Sequence, residues 1–129
     1  MALKATLKLD GKSYDIQNLD YEISKPYDNN YKPSASPRGG VINFSILTPM
    51  DQNFVFHEWL LSITEAKNGE FFLPLTHGIN HVERKLSFER AYCIRLQESY
   101  SNYGSSQMSM NITISASIIK FSDTLKFYK

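Results

Sequence analysis

Strict alternation of apolar and polar side chains dominates this chain, and it predicts strands because successive strand residues point to opposite faces. Near the start, Leu3, Ala5, Leu7 and Leu9 take one phase while Lys4, Thr6 and Lys8 take the other. Asp10-Gly11 then reads as a hairpin turn. The next strand carries Tyr14 and Ile16 on one phase, then Leu19, Tyr21 and Ile23 on the opposite one. That slip near Asn18 predicts a β-bulge, a device that bends sheets as they curl into barrels. Ile42, Phe44 and Ile46 alternate with Asn43 and Ser45 in a third strand. FFLPLT and RKLSFERAYCIRLQ are strand-like as well, with a second slip between Phe88 and Ala91. The clearest strand sets Met108, Met110, Ile112, Ile114, Ala116 and Ile118 against Ser109, Asn111, Thr113, Ser115 and Ser117. The tail SDTLKFYK alternates weakly and is expected to pair as an edge.

One segment departs from this period. In TPMDQNFVFHEWLLSIT, Phe56, Trp59, Leu60 and Ile63 fall at i, i+3, i+4 and i+7, the apolar stripe of an amphipathic helix that needs a covering surface. Asp51 or Thr48 is the expected N-cap. With about six or seven strands and one helix, the expected fold is mainly β: a barrel of two packed sheets with one flanking α-helix. Residues 1–129 form a single domain on this reading, with no repeat and no linker.

Composition narrows the function. A formal net charge of +1 and no basic block argue against sequence-independent nucleic-acid binding. One cysteine, Cys93, excludes an internal disulfide framework and suits synthesis in a reducing compartment. The alternating MALKATLKLDG is not the continuous apolar run of a signal peptide, and no stretch reaches membrane-span length, so cytoplasmic synthesis without membrane insertion is expected.

No catalytic constellation emerges. His57-Glu58 begins like a zincin motif, but Leu61 stands where the second histidine belongs. His77 and His81, with Glu83 near, have i, i+4 spacing, yet Gly78 and a loop-like setting remove the helical face that would converge them on a metal. Cys93 sits in a strand with no nearby base and reads as a packed thiol. No cofactor, metal or catalytic residue is expected.

Two features of the surface stand out instead. Ser109, Asn111, Thr113, Ser115 and Ser117 make an uncharged row on the last long strand, suited to a tightly packed neighbour, a water-filled channel wall or an ordinary solvent face. KPYDNNYKPSASPRGG, residues 25–40, joins two strands through Pro26, Pro33 and Pro37, which is far more chain than a hairpin needs.

The pieces MALKATLKLDGKSYDI, LDYEIS, KPSASPRGG, FHEWL, AYC and ITISASIIK, in order along nearly the whole chain, resemble the Hcp (TssD) tube proteins of type VI secretion systems, in their shorter Bacteroidetes form. Less chain separates the helix from the final strands here than in the longer proteobacterial form. The resemblance implies an Hcp-like β-barrel that closes as a homohexameric ring. Such rings stack into a tube beneath a spike, inside a contractile sheath whose contraction ejects the tube from the cell with effector proteins in its lumen, so sheath, spike, baseplate and effector proteins are the implied partners. Contractile phage tail tubes are the alternative within the same mechanical class. A small-ligand-binding barrel, with Tyr14, Tyr21, Phe44 and Trp59 lining a pocket, is the alternative from another class.

Under the resemblance, Lys32, Pro33, Pro37, Arg38, Gly39 and Gly40 are expected in ring-stacking or subunit contacts. The prolines lower the entropy cost of docking, the glycines permit positive φ or close backbone approach, and Arg38 offers a planar multidentate donor. Ser109, Asn111, Thr113, Ser115 and Ser117 are expected to face the lumen or the subunit seam. Phe56, Trp59, Leu60 and Ile63 are expected to pack the helix on the barrel.

Overall fold

A computed structural model describes residues 4–51, 53–104 and 106–129; Leu3, the first residue of the opening alternation, lies outside them. Seven strands and one helix follow in the order β1 (Thr6–Leu9), β2 (Lys12–Ser24), β3 (Arg38–Leu47), α1 (Val55–Leu61), β4 (Lys67–His77), β5 (Asn80–Ser101), β6 (Gln107–Lys120) and β7 (Lys126–Tyr128). All pairings are antiparallel, in the order β3-β2-β1-β4-β5-β6-β7. A further pairing of β3 with β6, from Val41↔Ser115 to Leu47↔Ser109, closes the sheet into a barrel. Beyond that stretch β7 takes over the free side of β6, with Ile119 opposite Phe127.

The alternation explains the closure. Leu7, Leu9, Ile42, Phe44, Ile46, Phe71, Leu86, Phe88, Met110, Ile112 and Ile114 all point inward and are buried. Antiparallel strands with one apolar face need a closed or covered arrangement, and closure leaves few edges. The slip at Asn18 is a register shift between Ile16 and Asn18, and it moves the inward phase from Ile16 to Leu19. The slip between Phe88 and Ala91 is a second irregularity, opposite Lys67 and Gly69. There Arg90 takes a φ of 50° and donates its N–H to Asn68 Oδ1 at 2.8 Å.

Aromatic rings fill the interior. Phe44 meets Phe56 and Phe71 edge-on, and Trp59 stacks on Phe88. Tyr14 and Tyr21 pack partly buried against this cluster. The four aromatics of the ligand-pocket alternative are therefore packing, with Phe44 and Trp59 in the core itself.

The helix is shorter than its sequence pattern. It spans only Val55–Leu61, and its N-cap is Phe54 with no side-chain cap, not Asp51 or Thr48. Phe56 and Trp59 are buried and Leu60 is half-buried. Ile63 does not pack: it is 94% exposed, because Ser62 turns to extended backbone and ends the helix one residue earlier. The Ser62 hydroxyl accepts the N–H groups of Thr64 and Glu65, steering the chain toward β4.

Candidate functional site

Strand register assembles a polar surface that no single strand contains. Reading across β2, β3, β6 and β5, Asn18, Ser45, Asn111 and Gln97 form one row; Asp20, Asn43, Thr113 and Arg95 form the next. These rows line a shallow concavity of about 270 Å³. The Asn43 amide donates to Asp20 Oδ1 at 3.0 Å and its carbonyl accepts the Thr113 hydroxyl at 2.7 Å. Asn18 Nδ2 donates to the buried Ser45 hydroxyl at 3.3 Å. The chain of amides and hydroxyls fixes side-chain orientation across three strands, and only Asp20 and Arg95, on the outer strands, carry charge.

The row expected on β6 divides along its length. Asn111 and Thr113 line the concavity. Ser115 accepts from the Lys129 ammonium, and Ser117 donates to the Arg90 carbonyl at 3.1 Å, so both engage the chain itself. Ser109 pairs across to Leu47 and Ser99 at the other end of the strand. Asn18, Asp20, Asn43, Ser45, Arg95 and Gln97 were missed as members of this face. The alternation of Asn43 and Ser45 was visible, but which strands would sit beside β6 was not.

The long connection is shorter than expected. Arg38, Gly39 and Gly40 belong to β3, not to a loop. Ile23 pairs with Gly39 while Glu22 pairs with Val41, so Gly40 is the extra residue of a bulge. Gly40 has a φ of +87°, and a Cβ there would lie 2.7 Å from the Ala116 carbonyl oxygen, so only glycine fits. Residues 26–34 fold into a miniature hairpin. Tyr27 bridges Pro33, the Asp28 N–H donates to the Lys32 carbonyl oxygen at 2.9 Å, and Asp28 Oδ1 accepts the Asn30 and Lys32 N–H groups. Tyr27 and Tyr31 stack on each other yet stay 67% and 82% exposed. Lys32, Pro33, Pro37 and Arg38 are exposed as well.

At the helix, His57 Nε2 lies 2.5 Å from Glu98 Oε1, and Glu98 Oε2 accepts the Thr48 hydroxyl at 3.2 Å. One carboxylate thus ties the helix and its leading segment to β5. His77 and His81 lie on facing strands of the β4–β5 hairpin rather than in a loop, with His77 opposite Asn80 and Thr76 opposite His81. Among the described residues, no three His, Cys, Asp or Glu side chains converge as a metal site. Burial pushes the Cys93 thiol up to about 11, so the reactive thiolate is disfavoured, and the thiol lies within 3.7 Å of the Arg95 carbonyl oxygen.

The fold has solved counterparts. Hcp1 from Flavobacterium johnsoniae is similar at TM-score 0.81 and 22% identity, covering 98% of this chain and 100% of its own. Hcp1 from E. coli EAEC 042 is similar at TM-score 0.70 and 13% identity, covering 99% and 98%. Hcp3 from Pseudomonas aeruginosa, a secreted protein, is similar at TM-score 0.61 and 8% identity, covering 99% and 97%. No curated protein matches the sequence. At these identities the likenesses establish the barrel, and the family rests on the sequence match. The model of the hemolysin coregulated protein Hcp (TssD) family matches residues 1–126, and this chain belongs to that family.

Proposed function

We propose that this chain is a structural subunit of the type VI secretion inner tube, closing into homohexameric rings that stack and are ejected by sheath contraction. Membership of the Hcp (TssD) family, a family of structural tube proteins and not of enzymes, supports this reading. The observation that carries it is the concave face built from β2, β3, β6 and β5. That face is polar, hydrogen-bonded within itself and without net charge, Asp20 and Arg95 offsetting each other, on a barrel whose other side is packed core. Such a face suits the wall of a water-filled bore, because weak neutral contacts let a passenger protein leave. Sheath, spike and baseplate proteins are the outer partners on this reading, and effectors the inner ones. The Tyr27–Pro33 hairpin and Arg38 belong to the contacts between subunits or rings.

Particle mass and negative-stain microscopy test the proposal. Annular particles with a central hole are expected at high protein concentration. A strictly monomeric protein overturns it. Cysteines at Asn111 and Ser115 refine the placement: a bulky maleimide should label them in dissociated subunits and not in assembled tubes. Equal labelling in both states removes these residues from the bore.

A further inference from the structure

The antiparallel topology gives the barrel two unlike ends. β2 runs up to the Tyr27–Pro33 hairpin, β3 returns to the helix, β4 runs up again to the β4–β5 turn, and β5 comes back. One end therefore holds the proline-containing hairpin and the β4–β5 turn, the other the helix with Ile63. Lys67 to His77 covers 11 strand residues, so β4 alone spans about 33 Å between the two ends.

The β4–β5 ribbon outgrows the barrel. β1 accompanies β4 only as far as Phe72, and β6 accompanies β5 only from Ser87 onward. Past those points neither edge of the ribbon is paired among the described residues. Its inward-facing row stays apolar on β4, where Phe71 in the core is followed by Leu73 and Leu75; on β5 Val82 lies opposite Leu75 and Arg84 opposite Leu73, with Ile79 at the tip. Leu75, Val82 and Ile79 are 50%, 62% and 92% exposed. A two-stranded ribbon is marginal in water, and a core-facing row that continues into solvent is incomplete without a cover.

A second exposed apolar patch lies at the opposite end. Phe54, Leu61 and Ile63 are 60%, 80% and 94% exposed around the helix. Charge matches the two ends as well. Lys25, Lys32, Arg38 and Arg84 flank the ribbon end against Asp28 and Glu83, and none of these four cations has an ion-pair partner among the described residues. Residues 48–66 carry Asp51, Glu58 and Glu65 and no lysine or arginine; Lys12 and Lys67 engage Asp51 and Glu65, and Glu58 stays exposed.

We infer that the Leu75–Val82 ribbon tip of one copy seats on the Phe54, Leu61 and Ile63 patch of the next, a head-to-tail contact between unlike barrel ends. The inference rests on the tube-subunit reading and names the surfaces that reading would use. With the copies in line, each junction uses one tip and one patch and leaves the other pair free, so the contact is heterologous and propagates in a single direction. Complementary charge sets that direction and penalises like ends meeting.

An Ile63→Cys, Ile79→Cys double variant tests it, because both positions are solvent-exposed and Cys93, which is buried, can stay in place. A short bis-maleimide cannot span the two positions within one copy. Covalent ladders whose linked peptides join position 63 to position 79 are expected under assembling conditions and not in dilute monomer. Links joining 79 to 79 or 63 to 63, or annular particles that form with neither position linked, overturn this contact and leave the tube reading standing. Absence of any self-association overturns both.

Discussion

The Trp59 indole N–H donates to the Ala91 carbonyl oxygen at 3.1 Å, fastening the helix to β5 one residue past the Arg90 irregularity. The carbonyl belongs to a strand bent out of its ladder, and the indole is fully buried. Trp59→Phe keeps a ring against Phe88 but leaves that carbonyl without its donor. A loss of about 1–3 kcal/mol is expected, read as a lower urea midpoint at unchanged m-value.

The two apolar ends of the expected helix stripe separate cleanly. Phe56 is 2% exposed and touches Tyr14 and Phe44, so Phe56→Ala should cost about 3–5 kcal/mol. Ile63→Ser removes nothing that the isolated chain buries and should change monomer stability by less than about 0.5 kcal/mol. Denaturant melts of the two variants side by side check both.

Gly40 and Gly104 share a positive φ but not their surroundings. Gly40→Ala meets the Ala116 carbonyl and the Phe127 ring, whereas Gly104→Ala enters open space. Backbone strain alone costs about 1–2 kcal/mol at each. The clash at Gly40 adds to it, so thermal unfolding should shift clearly further down for Gly40→Ala than for Gly104→Ala.

Alkaline pH should weaken the fold through Cys93. Its folded thiol holds the proton up to about 11, above the unfolded value of about 8.5, so the native state binds more protons between those limits. The contribution is complete below about pH 8.5 and is lost as pH rises through about 11. Lys67, raised because hydrogen bonds to Asp10 and Glu65 outweigh its burial, acts in the same direction. Cys93→Ala should therefore flatten the decline of stability between pH 9 and 11, and native protein should react with a thiol reagent only on unfolding.

Period-two alternation made most strands readable, because side-chain direction in a strand is set locally. Both phase slips, at Asn18 and between Phe88 and Ala91, mark real irregularities, since a bulge moves every later side chain to the other face. A third, between Cys93 and Arg95, went unread because Tyr92 and Ile94 are apolar as well and blur the phase. What depends on distant partners was not legible. The pairing of β3 with β6 makes Asn43 a neighbour of Thr113, and the Glu98 that holds His57 lies 41 residues away. Helix periodicity likewise extended to Ile63 although Ser62 had already turned the backbone.

Closure of the sheet by β3 and β6 has a consequence for how the molecule is made. Asn43 and Thr113 are 70 positions apart, so the seam cannot zip until the chain through β6 has emerged from the ribosome. Folding is then a late, all-at-once event governed by non-local strands, and a nascent fragment lacks the seam that completes the concave wall. A chain cut short before β6 therefore cannot close the barrel.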